Sequence, residues 1–481
     1  MATKKKVVKS KGKAKVKAKE VKVKAKAKAV KVKAVKSKGF EPDYDAMLDS
    51  VEKKFKLSSS MSDRMKYAIS SGCLVQDLIL GGGYIGGGMY TYAGAESSGK
   101  STNMMNFLST LIKRAGEERV RVIEYIDAEG SFDPKYFSTM SKQNLKIQDI
   151  FGIKNAKGAY IVKPLIRYYA ESRGEGVMDA LNSQLKRMPD MELLNDSWYY
   201  VYENTKENRS TVGSYYSKEL FSKYNKFYVK TEKTAPQAIV VVDSWVSLVP
   251  EKIDDEDVGA GLGVHGRFFA DNLPKIKSKL RRKNVILIGA NQLREKPMSR
   301  GDPRYEPGGN ALKFQSDCRI WQTPRVVPHG AGRATEEEPS VVYDKGHDLY
   351  RYIHLNNRKN KLATPYLNGW MRLHVKDAKG KAHGIDKVWD VFKYLQMTGQ
   401  VSGNRKKLVV QFDGGIKFKA EWLQFKALLM CDAEKRAKVA KKCGMKEAPK
   451  LYSMCLAQLK SGKGTELYYS NLANLGDDDI D

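Results

Sequence analysis

GAESSGKST, Gly94 to Thr102, stands between the strand-like run MYTYA (Met89–Ala93) and the helix-like run NMMNFLSTLIKR (Asn103–Arg114). It fits G-x-x-x-x-G-K-[ST] in the strand–loop–helix setting that this phosphate-binding loop needs. Glycines let backbone N–H groups converge on a phosphate chain, a lysine neutralises the β and γ phosphates, and the following hydroxyl holds Mg²⁺. The predicted nucleotide-binding residues are therefore Gly94, Ala95, Glu96, Ser97, Ser98, Gly99, Lys100, Ser101 and Thr102, with ATP and Mg²⁺ as the expected ligands. Read alone, the motif could be a chance match in a glycine-rich turn. The flanking strand and helix argue against that.

Working outward, apolar strand-like runs (RVRVIEYIDAE, QAIVVVDSW, NVILIGANQ) alternate with helical patterns, the signature of βαβ units and a parallel sheet. AIVVVDS (Ala238–Ser244) reads as a fully buried strand that delivers Asp243 at its C-terminal tip, where a P-loop protein keeps its second metal-holding acid. The bland reading of Asp243 is a helix N-cap. VIEYIDAEG (Val122–Gly130) ends another such strand with Asp127 and Glu129, and Glu129 is the candidate general base for a hydrolytic water. In GCLVQDLILGGGYIGGGMYTYAG, glycine-rich turns bracket what read as short β-type runs. DAMLDSVEKKF (Asp45–Phe55) places Met47, Leu48, Val51 and Phe55 at helical spacing.

The 481 residues carry a formal net charge of +31, which favours a polyanionic partner, most simply nucleic acid. Residues 1 to about 40 hold seventeen lysines against the single acid Glu20, about half of the excess. Repulsion and small side chains leave this segment too little to bury, so it reads as a disordered basic arm. It is either a sequence-independent DNA tether or a solubilising or targeting tail. No apolar run is long enough to span a bilayer, and the N-terminus lacks a secretory signal, so a cytoplasmic protein is expected. The five cysteines and six histidines show no metal-ligand spacing.

Five strings now stand in a telling order: GAESSGKST, IDAEGSFDPKY (Ile126–Tyr136), VVVDS (Val240–Ser244), ANQ (Ala290–Gln292) and GGNALKF (Gly308–Phe314). Over most of residues 44 to 375 the chain resembles the RecA family, bacterial RecA and phage recombinases of the UvsX kind. The implied fold is α/β: a P-loop NTPase core of RecA type with a mostly parallel central sheet flanked by helices, a small N-terminal helix element and an α/β C-terminal module. The implied activity is that of a DNA-dependent ATPase that forms helical filaments on single-stranded DNA and catalyses pairing and strand exchange with duplex DNA. Single-strand-binding and mediator proteins are further partners the resemblance implies, and the location is the nucleoid, or the host cytoplasm for a phage protein.

Position by position, the resemblance makes Glu129 the catalytic glutamate, places Asp133 and Tyr136 around adenine, and makes Gln292 the sensor of the γ-phosphate. Lys359 and Lys361 in NRKNKLATPY match lysines that reach the γ-phosphate of the neighbouring protomer; without the motif they read as surface cations. The segment Lys252–Gly266 resembles the first DNA-binding loop, followed by Arg267. The segment Arg294–Gly309 resembles the second, with Arg294, Lys296, Arg300, Arg304, Gly308, Gly309 and Asn310 as DNA-binding candidates and Met298 or Tyr305 as wedges between bases; an active-site lid is its bland reading. Pro297, Pro303 and Pro307 depart from the family pattern there. The helix at Asp45–Phe55 matches the polymerisation helix, and the acidic end (Asp477, Asp478, Asp479, Asp481) a tail restraining duplex binding.

Glu129 and Asp243 lie about twice as far apart as the family needs, which implies insertions at about 141–170 and 189–236. The second is rich in aromatics interleaved with lysines, suiting either a single-strand clamp or the insertion's own small core. The expected organisation is an arm (1–42), an oligomerisation element (43–75), the ATPase core (76–375) and a C-terminal module (376–481). The competing readings are a hexameric helicase on the same core and a non-enzymatic DNA-packaging protein.

Overall fold

The computed structural model describes residues 63–472 apart from 115, 214–219, 224, 252–262, 296–302, 327–340, 344–347, 378, 405 and 413–414. The chain divides into two units at Lys54–Phe55. The first unit, the basic arm, the helix expected at Asp45–Phe55 and the acidic end lie outside the described residues.

A ten-stranded sheet organises the rest. Its strands are β1 (Met89–Gly94), β2 (Val122–Asp127), β3 (Arg167–Tyr169), β4 (Ala238–Asp243), β5 (Val285–Gln292), β6 (Cys318–Pro324), β7 (Val341–Tyr343), β8 (Leu349–Asn360), β9 (Asn368–Lys376) and β10 (Gly384–Ile385). The order is β10-β9-β8-β6-β1-β5-β4-β2-β3, with β7 pairing β8. The six strands from β6 to β3 are mutually parallel, and β8, β9 and β10 continue the sheet antiparallel.

Both faces of the centre are covered, which is why its strands read as unbroken apolar runs. In β4, Ile239 and Val241 join one apolar cluster while Val240 and Val242 join the other. The second cluster is closed by helices α4 (Gly174–Arg187) and α5 (Val264–Lys283) through Val177, Leu181, Phe269 and Leu273. The first is closed by α2 (Lys100–Leu111), and it continues into the C-terminal region through α7 (Lys387–Met397) and the helix Trp422–Met430. The C-terminal region holds a three-stranded sheet (Val401–Asn404, Lys407–Gln411, Lys417–Ala420) and four helices between Trp422 and Leu472.

Two expectations are corrected, the first of them just before β1. The run LVQDLIL, read as β-type, is the helix α1 (Leu74–Leu80), buried on every side. An apolar run with no exposed face has no visible period, so helix and strand look alike in sequence. The features that make it a helix are tertiary and terminal. The Asp390 carboxylate, on α7, accepts from Leu74 N (2.8 Å) and Val75 N (3.2 Å), satisfying N–H groups a helix start leaves over. At the other end Gly81 takes φ 80°, and Gly81 N and Gly82 N donate to Leu78 O and Asp77 O, the glycine-terminated C-cap.

In the long stretch between β2 and β4, the residues Arg167–Tyr169 are not extra material lying outside the sheet: they are β3, paired to Glu124–Ile126. The second stretch folds on itself into a four-stranded antiparallel sheet of Asp190–Leu194, Ser197–Glu203, Leu220–Lys223 and Lys226–Thr231. Trp198, Tyr200, Phe227 and Tyr228 are buried within it, and the Tyr67 ring meets Trp198 edge-on at 5.5 Å. For these four aromatics the small-core reading holds over the clamp; the side chains of Tyr215, Tyr216, Phe221 and Tyr224 lie outside the described residues.

Candidate active site

Parallel register brings the chemistry to one edge of the sheet. Gly94 at the end of β1 is level with Gln292 at the end of β5, and Asp243 at the end of β4 is level with Asp127 at the end of β2. Ligands of open α/β sheets sit outside these carboxyl ends. Gly99, with φ 82°, turns the chain from the loop into α2, and a side chain there would collide with Leu373 of β9. At Gly94 a Cβ would lie 2.2 Å from Ser98 Oγ, so the loop closes tightly on itself. Lys100 Nζ donates to Gly94 O (3.0 Å) and Ala95 O (2.8 Å) at the loop's mouth. Burial pushes its pKa down, opposed by the charges of Asp243, Glu129 and Glu96.

Asp243 is 1% exposed. Burial raises its pKa, opposed by hydrogen bonds from the Ser101 hydroxyl and from Tyr125 Oη, which donates at 2.6 Å. A P-loop hydroxyl bonded to a strand-end carboxylate, beside a lysine, is the donor set Mg²⁺ takes when substrate phosphates supply its other ligands. These residues fit the ion. Among the described residues no group of three or more His, Cys, Asp and Glu could hold a metal by itself.

Glu129 and Gln292, from separate strands, are brought together: Gln292 Nε2 donates to Glu129 Oε1 at 3.2 Å. Ser247 Oγ donates to the same oxygen at 3.0 Å, and Ser244 Oγ does so as well. Asp127, named in sequence only as a strand end, organises the loop that carries Glu129. Its carboxylate accepts from Glu129 N, Ser131 N and Phe132 N at 2.9–3.3 Å and from Tyr168 Oη at 3.0 Å.

Asp133 caps the helix α3 (Pro134–Ser141), accepting from Lys135 N (2.8 Å) and Tyr136 N (3.2 Å). Tyr136 bonds to the Thr102 side chain, and burial raises its pKa. Asp133 and Tyr136 line an open cleft that continues from Ser97 and Gly99 to Leu373 and Ala382, the expected place for a base. Sequence reasoning missed Arg351 on β8, whose Nη1 donates to Ser97 O at 2.7 Å and braces the loop across the sheet. No motif marks it, because the contact joins residues 254 positions apart.

Lys359 and Lys361 are not part of this cluster. Lys359 is level with Arg319 at the start of β6, and Lys361 N donates to Asp317 O (2.8 Å), whereas Gly94 is level with Gln322 towards the end of β6. They occupy the opposite end of the sheet from their own P-loop. Lys359 Nζ donates to Lys313 O (2.6 Å) and Phe314 O (3.0 Å) at the end of α6 (Gly309–Gln315). Burial and then the charges of Lys361 and Arg319 bring its pKa down to about 8.

Of the first glycine-rich loop, 252–262 lie outside the described residues, as do Lys296, Met298 and Arg300 of the second. The ends of the two loops meet: a Cβ on Gly309 (φ 69°) would lie 2.9 Å from Gly266 Cα on α5. Arg294 pairs with Tyr305 in a short antiparallel ladder, and Arg304 lies over the Trp321 ring at 5.4 Å. Arg267 is mostly exposed and within 4.0 Å of Asp271; Asn310 is exposed at the start of α6, with Gly308 before it at φ 93°.

The fold and this edge of the sheet define a P-loop nucleotide-binding α/β protein. Residues 230–367 match the family model described as the RecA N-terminal domain. Protein RecA of Streptococcus agalactiae serotype III (strain NEM316) is 24% identical over 363 residues, 74% of this chain and 74% of its own length. Protein RecA of Latilactobacillus sakei is 28% identical over 284 residues (57% of this chain, 60% of its own), and that of Rippkaea orientalis 27% over 281 (57% and 60%). Over these stretches the chain is similar to proteins of the RecA family.

Proposed function

We propose that this protein is a DNA-dependent ATPase that assembles as helical filaments on single-stranded DNA and carries out homologous pairing and strand exchange in recombination and repair. The observation that carries the reading is a division of labour across the sheet. Glu129, Gln292, Lys100 and Asp243 gather at one end while Lys359 and Lys361 lie at the other. Cations at the far end can reach a triphosphate only if it is bound by another copy. Charge supplied in trans to a phosphoryl transfer is worth about 10³–10⁵ in rate, so such a site turns over efficiently only when copies stack.

In this reading Gly94–Thr102 hold the phosphates of ATP, Lys100 faces the β and γ phosphates, and Asp133 and Tyr136 flank the base. Mg²⁺, held by Ser101 and Asp243, supplies neutralising charge to the triphosphate. Glu129 accepts a proton from the attacking water, whose oxygen bonds to the γ-phosphorus as the bond to the β–γ bridging oxygen breaks and ADP leaves. Gln292 ties Glu129 to the end of β5, directly before Arg294 and the second loop, and so links hydrolysis to DNA. Arg267, Arg294, Lys296, Arg300 and Arg304 pair with phosphates, and Gly308, Gly309 and Asn310 let the strand approach the backbone. Among the described residues no helix is long and apolar enough to cross a membrane.

The test is ATP turnover with and without single-stranded DNA, read beside electron microscopy of the DNA-bound protein. Turnover that rises sharply with DNA, on open helical filaments that exchange strands, is the expected result. Closed six-membered rings that unwind duplex would replace it with the helicase reading, and absence of DNA-stimulated turnover with a DNA-packaging role.

A further inference from the structure

We propose that Glu306 and Trp321 form a positioning clasp that couples occupancy of the second glycine-rich loop by a nucleic-acid strand to the placement of Lys359. The inference rests on the reading above and deepens it. Glu306 is 2% exposed, although it belongs to a segment rich in glycine and proline. A carboxylate so buried must be paired, and its partners among the described residues are on β6. Arg319 donates to both oxygens, from Nε to Oε2 (3.2 Å) and from Nη2 to Oε1, and Trp321 Nε1 donates to Oε1.

The indole held by that carboxylate is shared by two cations. Arg304, from the loop's short ladder, lies over Trp321 at 5.4 Å, and Arg358, from β8, at 4.3 Å. Arg358 reaches the ring because the β6–β8 register slips between Arg319 and Ile320. Lys359 is opposite Arg319 and Asn357 opposite Ile320, which leaves Arg358 as the extra residue of a bulge. Bulges re-aim side chains, and this one sends Arg358 to the indole while Lys359 faces the end of α6. Loop, indole, bulge and lysine are therefore one connected set.

A cation over an aromatic face is held by about 0.5–2 kcal/mol, less than a charge-assisted bond to phosphate. A strand entering the loop can therefore draw Arg304 from Trp321, leaving Arg358 as the ring's cation. The bulge, and Lys359 beside it, respond to that exchange. Glu306 fixes the indole against both cations and sets the field at Lys359. Among the described residues, the charged and titratable groups that act on Lys359 include Lys361 on its own strand, Arg319 and Cys318 on β6, Glu306, and Lys277 on α5; Cys318 and Glu306 raise its pKa.

The experiment compares full-length wild type, Glu306→Gln and Trp321→Phe. Turnover is measured without DNA and at saturating poly(dT), with saturation verified by anisotropy, from pH 6.5 to 9. Trp321→Phe should match wild type without DNA. Both variants should lose about fivefold or more of the stimulation by poly(dT), the scale of an ordinary coupling between sites. In Glu306→Gln alone, the alkaline limb of stimulated turnover should move to lower pH, because a carboxylate that favours protonated Lys359 is gone. A purely structural role would not move that limb. Unchanged stimulation in both variants, or an unmoved limb in Glu306→Gln, overturns the proposal; if Glu306→Gln does not fold, unchanged stimulation in Trp321→Phe overturns it. Wild type without stimulation would sink the parent reading as well, whereas stimulated wild type with unaltered variants sinks the clasp alone.

Discussion

Two carboxylates, one inside β2 and one just past its end, sit in opposite surroundings. Glu129, just beyond β2, is exposed and takes three hydrogen bonds on one oxygen, which leaves Oε2 for a water. Glu129→Gln should keep nucleotide binding and filament formation while turnover falls by about 10²–10⁴, the usual yield of a general base; single-turnover hydrolysis measures it, and unchanged turnover would move the base elsewhere. Glu124, inside β2, is buried, accepts from Gln184 Nε2 at 2.7 Å, and is pushed up to about 7 by burial, with Arg167 acting against. Its folded pKa lies above its unfolded value, so its contribution is fully present at low pH and is lost as pH rises from about 4.5 through 7. The loss is at most about 3 kcal/mol for a shift of this size. Glu124→Gln, which keeps the acceptor for Gln184, should therefore match wild type near pH 5 and exceed it at pH 8 in denaturant midpoint. Equal midpoints at both pH values would show that Glu124 is not held protonated.

At the scale of elements, what sequence could tell depended on how local the determining contact was. The P-loop between strand and helix and the acid ending AIVVVD were legible because each is set by neighbours within a few residues. The helix Leu74–Leu80 was not, since Asp390 caps it from over three hundred positions away. Arg351 and Glu306 escaped notice for the same reason: the partner that gives each its role lies on another strand. The separate roles of Glu129 and Gln292 came from the resemblance, and only the fold shows that the two side chains meet. The lysine end of β8 carries a prediction of its own. Lys359→Ala and Lys361→Ala should each impair DNA-stimulated turnover and leave nucleotide binding by the monomer nearly intact, as judged by titration with a fluorescent ATP analogue. Mixing either with Glu129→Gln should restore part of the activity, because some interfaces then join an intact Glu129 to intact lysines. Failure to recover at every ratio would place both sets of residues in separate reactions.

For the whole molecule the dominant fact is charge, +31 overall and +16 of it within the first forty residues. The P-loop motif Gly94–Thr102 contains a single lysine, Lys100, so this surplus lies elsewhere, and its two candidate roles make different measurable statements. Lysines that neutralise phosphates release counterions without reading bases, and each contact on B-DNA contributes about −0.9 to the slope of log K against log salt. Deleting residues 2–40 should then leave ATP turnover and single-strand filaments largely unchanged, while duplex binding weakens and its salt slope flattens by several units for even a handful of contacts. A segment that only solubilises or targets the chain predicts the same slope with and without it. Duplex titrations of both forms over a range of salt concentrations separate the two, since a lost tether changes the slope as well as the affinity at any one concentration.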